Sequence, residues 1–220
     1  YYFTNWSTKG REMGRTSCAK ENLITSAIEL IGNRSYNAVG VQELCEHAGV
    51  KKGSFYHFFP SKRDLTLEAL DRIWNTFKTE TLEPIFNSDT STLEKFETML
   101  ARAYEYHSSR KDCTGCMSGC GFGNLALELS TQDEEIRKKI EEIFCDWTKY
   151  LEKVIVQAVG EGVLPSETDP AATAQAMVAY IEGVFLLGKS FNDPCMIQRL
   201  GEGVLQLCIP KKKTGACSQM

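Results

Sequence analysis

Apolar residues recur along much of the chain at spacings of three and four, which is the period of an α-helix. One stripe ends at Gly32-Asn33, and its members are Leu23, Ile24, Ala27, Ile28 and Ile31. A longer stripe is made of Ile136, Ile140, Ile143, Phe144, Trp147, Leu151, Val154 and Ile155. No stretch shows the sustained apolar and polar alternation of a half-buried strand. The pattern predicts about nine helices, no sheet and an all-α fold.

Two helix-start signals near the C-terminus predict the last two helices. Thr168-Asp169-Pro170 combines a capping side chain with proline at the first helical position, and it opens an apolar run that extends to Gly188. Asp193-Pro194 opens another run, which we expect to be one helix over 194–207. Both runs place apolar and small residues three and four positions apart, which allows close helix packing.

Residues 39–65, VGVQELCEHAGVKKGSFYHFFPSKRDL, have the spacing of a helix-turn-helix. Val41 and Leu44 lie on a first short helix, Ala48-Gly49-Val50 supplies a tight turn, and a second short helix follows over 51–58. The same shape also occurs in proteins that use it only for packing. Within this segment, the second helix carries the side chains that could contact DNA.

The predicted second helix divides its side chains between core and solvent. Phe55, Phe58 and Phe59 are expected to face the core. The side chains left to face outward are Lys51, Lys52, Ser54, Tyr56 and His57. Such a helix fits the major groove, and its N-terminal end reaches base edges. Pro60-Ser61-Lys62 starts the next helix, whose free amides and Lys62 ammonium are expected to bind phosphate.

The string GVKKGSFYHFFPSKRDL resembles the hallmark segment of the TetR family of transcriptional regulators, and the resemblance extends over roughly residues 18–70. It implies a three-helix DNA-binding domain over 15–63 and a helical ligand-sensing and dimerisation domain over 64–209. Such a regulator binds palindromic double-stranded operator DNA as a homodimer, and a repressor releases it when an inducer binds. The inducer would be a small molecule or a reactive electrophile.

The resemblance assigns roles within the DNA-binding segment. Lys51 and Lys52 are the candidates for base contacts, because long donors reach guanine acceptors. Tyr56 and Lys62 are the candidates for phosphate contacts, which fix register without reading sequence. One departure is that Val39-Gly40 stands where the family usually has Ser or Thr. We expect backbone amides near Gly40 to replace the missing side-chain contact.

The resemblance also implies a ligand cavity and a four-helix dimer interface in the second domain. The candidate cavity residues are Trp74, Phe77, Phe96, Met99, Tyr104, His107, Phe122 and Trp147. The candidate interface residues are Tyr180, Gly183, Val184, Leu187, Gly188, Leu200 and Val204. The alternative for both sets is burial in the core of a single chain, except that the alternative for His107 is a surface or hydrogen-bonded histidine.

Charge is distributed unevenly along the sequence. Nine Lys and Arg against five Glu give residues 9–63 a net charge of +4, while residues 64–220 carry −8, within a total of −4. This asymmetry is typical of a basic nucleic-acid-binding domain joined to an acidic one, although solvated surface charge gives the same count.

Three of the nine cysteines are clustered in KDCTGCMSGCGFGN, at positions 113, 116 and 120. The four glycines of this segment predict a loop or a loop-to-helix junction. Cys113, Cys116 and Cys120 could form a thiol sensor, with Lys111 or a helix N-terminus favouring thiolate. They could instead bind a metal together with His107 or Cys145, or line a pocket as inert thiols. The sequence leaves these alternatives open, and we assign no metal or cofactor.

Other function classes lack their motifs. The sequence contains no GxSxG, no HExxH and no phosphate-binding glycine loop after a strand, which argues against an enzyme. A metal-binding helical regulator and a helical interaction protein that does not bind DNA remain as alternatives, and the second leaves the basic domain unexplained. No run of eighteen apolar residues and no secretory signal is present, so we expect a cytoplasmic protein without membrane association.

Overall fold

The structure, a computed structural model, describes residues 15–207, apart from the side chains at 15–17, 33 and 205. Over that range it is helical, without a strand. The helices are α1 (Arg15–Asn33), α2 (Val41–Ala48), α3 (Lys52–Phe58), α4 (Lys62–Phe77), α5 (Glu83–Phe86), α6 (Thr92–Thr114), α7 (Gly121–Leu129), α8 (Glu134–Gly160), α9 (Pro170–Phe191), α10 (Cys195–Gly201) and α11 (Gly203–Gln206). A π-helical turn, Lys78–Leu82, joins α4 to α5 without a break. The prediction of an all-α fold is confirmed.

Side-chain caps define where several helices begin. Ser91 and Glu94 form a reciprocal capping box at the start of α6. Asp133 accepts from two backbone amides at the start of α8. Asp169 caps α9 with Pro170 at its first position, as the sequence predicts. These caps fix the starts of three helices that surround the cavity described below.

The N-terminal domain packs α1, α2 and α3 around a small apolar core. Leu23, Leu44 and Phe55 have no exposed surface there. Burying a side chain such as Phe55 stabilises the fold by about 1.5–3 kcal/mol relative to leaving it exposed. Gly49 ends α2 with φ of +66°, a backbone conformation that glycine adopts without strain. The turn therefore sets the angle at which α3 leaves the domain.

The C-terminal domain is built on α8, whose apolar stripe faces the core as predicted. Its buried residues include Ile136, Ile140, Ile143, Trp147, Leu151, Val154 and Ile155. Helix α9 packs along α8, and α4 lies between α8 and the N-terminal helix α1. Arg72 on α4 pairs with Glu21 at 2.7 Å, and Asp71 pairs with Lys139 of α8 at 3.0 Å. Helix α4 therefore belongs to the packing of both domains.

The predicted helix over 194–207 is interrupted and forms α10 and α11. Gly201 and Gly203 flank the interruption at Glu202. Side-chain atoms of Leu100 and Tyr180 lie so close to these glycines that a Cβ at either position would clash. The two glycines therefore permit close packing against α6 and α9. The end of the predicted second domain, 208–209, lies outside the described residues.

Candidate nucleic-acid interface and regulatory cavity

Helix α3 begins one residue later than predicted, because Lys51 is its extended N-cap with φ −78° and ψ 150°. Phe55 and Phe59 are buried in the core, with 0% and 2% of their surface exposed. Phe58 is half-buried and packs against the same core, as expected, with its ring centre 4.9 Å from that of His57. The helix is anchored mainly through Phe55 and Phe59.

The outward face of α3 matches the residues expected there. Lys51, Lys52, Tyr56 and His57 are exposed, and Ser54 is half-buried. The Tyr56 ring is held edge-on against Phe55 at 5.1 Å while 53% of the residue remains exposed. Neither lysine forms an ion pair with a described residue. Their ammonium groups are therefore available to an external acceptor.

Gly40 is the N-cap of α2 and provides no side-chain hydrogen bond to it. The residue is exposed and its backbone is extended, with φ −88° and ψ 159°. Amides in the first turn of a helix have no partner within that helix. This geometry fits the expectation that backbone amides near Gly40 replace a side-chain phosphate contact. The backbone contact itself stays a prediction.

Lys62 lies in a different setting from the one expected of a phosphate ligand. Its Nζ donates to the carbonyl oxygens of Tyr36 at 2.9 Å and Val39 at 3.0 Å. The same ammonium lies 3.9 Å from the centre of the Tyr36 ring, and burial lowers its pKa. Since an ammonium has three N–H groups, most of its donor capacity already holds the turn before α2.

A second contact holds the same turn from the C-terminal domain. The Glu128 carboxylate on α7 accepts hydrogen bonds from the backbone amides of Tyr36 at 2.9 Å and Asn37 at 2.8 Å. Arg63 pairs with Glu135 at 3.3 Å beside this contact. No sequence motif marked Glu128, because its partners are backbone groups about ninety positions away. Helix α7 is therefore bonded directly to the DNA-binding domain.

A cavity of about 180 Å³ lies among α4, α6, α7, α8 and α9. Its walls are mainly aromatic and aliphatic. The lining residues are Ile73, Thr76, Phe77, Thr81, Met99, Leu100, Arg102, Ala103, Tyr106, His107, Gly119, Cys120, Gly121, Phe122, Trp147, Ile181 and Phe185. The expected candidates among them are Phe77, Met99, His107, Phe122 and Trp147. Sequence reasoning missed Tyr106 and Phe185, which helical periodicity alone could not separate from other core positions.

The other three cavity candidates lie outside the cavity lining. Trp74 packs behind it, with ring centres 6.1 Å from Phe77 and 6.3 Å from Phe122. Phe96 packs against Phe86 at 6.2 Å, and Tyr104 joins a separate cluster around Met117, Val184 and Ile197. These three side chains pack against neighbouring helices, because they lie on faces of their own helices that point away from the cavity.

Apart from Arg102, the titratable side chains in the cavity wall are neutral at pH 7. Burial, together with the nearby charge of Arg110, lowers the pKa of His107 to about 4. Burial raises the pKa of Tyr106 above its ordinary value. Among the described residues, no hydrogen-bond partner meets the buried His107 Nδ1 or the buried Trp147 Nε1. The cavity therefore offers polar atoms without fixed charge on its rings.

The cysteine cluster spans a helix end, a loop and a helix start. Cys113 lies in the last turn of α6, Cys116 in the loop, and both are exposed. Cys120 is the N-cap of α7 and lines the cavity, and its sulfur accepts from the Gly123 amide at 3.5 Å. Burial and the nearby Glu182 carboxylate raise its pKa well above the usual range.

One expectation for the cysteine cluster changes with the structure, because the raised pKa of Cys120 disfavours the thiolate expected of a reactive sensor. Lys111 donates to the carbonyl oxygen of Asn192 at 2.6 Å, so its ammonium group lies at the end of α9, and its effect on a thiolate stays a prediction. Among the described residues, no group of three or more His, Cys, Asp or Glu is placed to hold a metal ion.

Helix α9 presents part of the predicted dimer face to solvent and buries the rest. Val184, Gly188 and Val204 are buried inside the chain, where Val184 contacts the cluster around Met117. The Tyr180 hydroxyl donates to the Leu200 carbonyl at 2.8 Å, and Gly183 and Leu200 are half-buried. The large apolar residues exposed on α9 are Leu186, Leu187 and Phe191. Of the predicted set, Leu187 is the one that is exposed.

Helix α9 is also long and apolar enough to cross a membrane, judged by length and composition alone. One third of its most apolar segment is buried inside the chain. The remaining apolar surface lies next to α10, which contributes the half-buried Leu200. Leu187 and Phe191 lie four positions apart on α9 and so share one face of the helix. Contiguous exposed apolar patches are typical of contact sites.

Two family models match the chain. Residues 23–69 match the model described as bacterial regulatory proteins, tetR family, and residues 92–204 match the tetracyclin repressor-like C-terminal domain. An uncharacterised helix-turn-helix transcriptional regulator of Lactococcus lactis is 32% identical over 79% of this chain and 85% of its own length. The transcriptional regulator AcuR of Cereibacter sphaeroides is 29% identical over 82% of each chain.

Solved structures have the same fold. The regulatory protein TetR from Rhodobacter sphaeroides superposes with a TM-score of 0.78 and 25% identity, over 88% of this chain and all of that one. The reduced form of Escherichia coli NemR gives a TM-score of 0.73 at 23% identity, over 89% of this chain and 99% of that one. The helix-turn-helix geometry, both family models and these relatives agree. The chain belongs to the TetR family and is a DNA-binding transcriptional regulator.

Proposed function

We propose that the protein is a cytoplasmic repressor that binds a palindromic operator as a homodimer and releases it when a small molecule occupies the cavity. The observation that carries this proposal is the position of α7. Its N-terminal end contributes Cys120, Gly121 and Phe122 to the cavity, and its C-terminal end bonds the DNA-binding domain through Glu128. Regulators of this family generally have no enzymatic activity, and we propose none here.

The path from cavity to DNA is short. Helix α7 has nine residues, which corresponds to about 13 Å at 1.5 Å per residue. A ligand that moves Phe122 also moves the helix whose Glu128 holds the turn before α2. Because α2 packs against α3, the shift reaches the helix that enters the groove. A ligand releases DNA only if it binds the shifted state more tightly than the DNA-bound state.

Release needs only a modest free energy. A coupling of about 1–3 kcal/mol between ligand and DNA changes operator affinity about 5–150-fold. Charge-assisted hydrogen bonds such as the two at Glu128 contribute about 1.5–3 kcal/mol each. Loss or weakening of this one contact is therefore of the right size to account for induction.

On the DNA side, α3 of each subunit enters a major groove. We assign base contacts to Lys51 and Lys52, and supporting contacts to Ser54 and His57 on the same exposed face. Tyr56 donates its hydroxyl to a phosphate, which positions the helix. In a dimer with two-fold symmetry, the half-site centres lie about 34–36 Å apart or a multiple of that distance.

The lysine assignment is tested by changing base and phosphate contacts separately. We expect Lys52→Ala to relax preference at one base position by about 1–3 kcal/mol, because a bidentate contact to guanine is lost. Tyr56→Phe should weaken binding equally on cognate and scrambled DNA. Fluorescence anisotropy on operators selected from a genomic pull-down measures both effects.

The control for this experiment is Lys138→Ala. Lys138 is an exposed lysine of α8, outside the DNA-binding domain, and pairs only weakly with Glu134 at 3.7 Å. Its removal should leave affinity and sequence preference unchanged. Unaltered base preference in Lys51→Ala and Lys52→Ala alike would contradict base reading by these lysines.

The role of Glu128 is tested by Glu128→Gln. The amide side chain has no charge and one acceptor oxygen, so we expect the Tyr36 and Asn37 amides to lose most of their protection. Hydrogen exchange followed by NMR should show both amides exchanging about tenfold faster or more, in line with the loss of about 1.5–3 kcal/mol per charge-assisted bond. Operator affinity of the ligand-free protein should change in the same variant.

Glu134→Gln is the matched control for Glu128. Glu134 is exposed, and among the described residues it pairs with Arg137 and Lys138 of its own helix. Glu134→Gln should leave hydrogen exchange of the amides at positions 36 and 37 unaltered. If Glu128→Gln also leaves these amides protected, the proposed connection between the domains is wrong.

A second candidate signal is covalent modification of a thiol. The observation in its favour is that Cys120 lines the cavity, so an electrophile that enters the cavity meets its sulfur. The neighbouring Glu182 can accept the thiol proton, and burial raises the pKa of this carboxyl as well. The pair nevertheless holds the sulfur as a neutral thiol in the ligand-free protein.

We expect N-ethylmaleimide at pH 7 to modify the exposed Cys113 and Cys116 first. Cys120 should react at about one tenth of their rate or more slowly. Each unit of pKa increase reduces the thiolate fraction about tenfold at a pH below the pKa. Peptide mapping by mass spectrometry gives the order of modification.

Operator release by peroxide or hypochlorite in wild type, but not in Cys120→Ser, would instead favour the thiol signal over a reversible ligand.

A further inference from the structure

We infer that the cavity binds a small apolar monoanion, a carboxylate with a body of about one ring, and that Arg102 binds its charged group. This inference rests on the proposed function and names the chemical class of its inducer. It follows from the position of the single charged side chain in the lining, from the absence of an acidic residue among the described lining residues, and from the apolar walls of the remaining cavity.

The size and walls of the cavity suit a small apolar body. A buried apolar cavity of about 150 Å³ is large enough to bind benzene. At about 180 Å³, this cavity accommodates a ring with one small substituent. Phe77 and Trp147 meet in its wall edge to face at 5.7 Å, and α7 and α9 contribute Phe122 and Phe185. Met99 adds a flexible side chain that adapts to ligand shape.

Arg102 brings a positive charge to the side of the cavity next to the π-helical turn over 78–82. Its guanidinium donates to the Glu80 carbonyl of that turn at 3.1 Å. This bond leaves the charge in place, because arginine stays protonated in proteins. Thr81 follows Glu80 in the same turn, is buried, and also lines the cavity. The guanidinium and Thr81 therefore lie on the same side of the cavity and make that side polar.

The charge balance of the wall favours an anion. Arg102 is half-buried, and no Asp or Glu is among the described residues that line the cavity. Burial first, and then the positive charge of Arg110, lower the pKa of His107 to about 4, so a second positive charge acts on the wall. Glu182, the acidic group beside Cys120, lies outside the lining, and burial raises its pKa. A cation entering the cavity would therefore meet like charge, whereas an anion would meet opposite charge.

A carboxylate matches the shape of the arginine side chain. The planar guanidinium can donate two parallel N–H bonds to the two oxygens of one carboxylate. Moving a charged group from water into apolar surroundings costs free energy unless the group is paired and hydrogen-bonded. Pairing with Arg102 offsets this cost for the anion. An uncharged ligand of the same shape gains no such pairing, so the cavity discriminates between ligands by their charge.

Three probes of matched shape and different charge test the inference on the full-length protein. Benzoate is an anion, nitrobenzene is its uncharged isostere, and benzamidine is a cation of the same shape. By isothermal titration calorimetry at pH 7, we expect benzoate to bind at least about tenfold more tightly than nitrobenzene, as a charge-assisted hydrogen bond allows. Benzamidine should bind more weakly than either, because it carries the same charge as Arg102.

The variant Arg102→Gln removes the charge and keeps a polar side chain. It should abolish the advantage of benzoate over nitrobenzene while nitrobenzene still binds, which shows that the cavity is intact. Arg102→Lys keeps the charge without the paired donors, so benzoate should retain part of its advantage. Arg137→Gln is the matched control, because Arg137 pairs with Glu134 and Glu141 on α8 and does not line the cavity. This control should keep the full advantage of benzoate.

Several results would overturn the inference. They are binding of benzoate no tighter than that of nitrobenzene, tighter binding of benzamidine, an unchanged benzoate advantage in Arg102→Gln, or no binding of any probe. If an Arg102 variant does not fold, the order of the three probes on the wild-type protein decides the inference.

Operator binding by the ligand-free protein is measured in parallel. If operator binding is intact while the probes fail, the inference on ligand class is wrong and the DNA-binding function stands. If operator binding is absent, the proposed function itself has failed, and the order of the probes still decides the ligand class of the cavity.

Discussion

Replacing Phe191 by Glu is expected to convert the proposed homodimer into monomers and to lower operator affinity by two to four orders of magnitude. Phe191 and Leu187 are 65% and 42% exposed on α9 although both are large and apolar. A partner subunit would cover them, and a carboxylate placed there would have to be buried without a counter-charge. Because linking two half-site contacts raises overall affinity about 10²–10⁴-fold, separating the subunits loses this gain.

Sedimentation velocity at micromolar concentration and operator binding by anisotropy measure the two parts of this prediction. The matched control is Leu93→Glu, which changes a large apolar residue of α6 that is 49% exposed and lies outside the predicted interface. It should remain dimeric and bind DNA normally. A Phe191→Glu protein that stays dimeric at this concentration would place the interface on another surface.

Acidification is expected to destabilise the protein by about 3 kcal/mol through His107 alone. The pKa of His107 is about 4 in the folded protein and 6.5 for an ordinary histidine. Between these values the unfolded chain binds more protons than the folded one, so the free energy of unfolding falls as pH falls from 6.5 toward 4. Each pKa unit corresponds to about 1.4 kcal/mol, and His107 is almost fully buried, so solvent screening reduces this little.

Urea unfolding at a series of pH values between 4 and 7 measures this effect. Acidic side chains also titrate in this range. The contribution of His107 is therefore isolated by comparing wild type with His107→Phe in the slope of the unfolding free energy against pH. In the variant, the unfolding free energy should fall between pH 7 and pH 4 by less than in wild type, and the difference should be most of about 3 kcal/mol. Equal slopes in wild type and His107→Phe would contradict a buried, neutral His107.

The predictable parts of the fold are those set by local chemistry. The turn at Gly49, the buried Phe55 and the capped start of α9 at Asp169 all follow from residue types at short spacing. The stripe on α8 is equally local, because 3.6-residue periodicity identifies the buried face of a helix. These features made the family and the all-α fold predictable.

The cavity was only partly predictable because periodicity shows that a residue is buried without showing what it faces. Trp74 and Trp147 have the same sequence signal, yet one packs behind the cavity and the other lines it. Val184 and Leu187 share an apolar helix, but the first is buried within the chain and the second is exposed. Such distinctions depend on packing between helices that are distant in sequence.

The contact of Glu128 with the DNA-binding domain was not predictable from side-chain motifs because its partners are main-chain groups. Glu128 accepts from the amides of Tyr36 and Asn37. Within the DNA-binding domain, Lys62 holds the same turn by donating to the carbonyls of Tyr36 and Val39. Any residue except proline supplies the same amides at 36 and 37. The DNA-binding domain can therefore evolve a new target sequence while this junction stays intact. A chimera carrying the N-terminal domain of a relative, with Lys62 retained, should still respond to this protein's inducer.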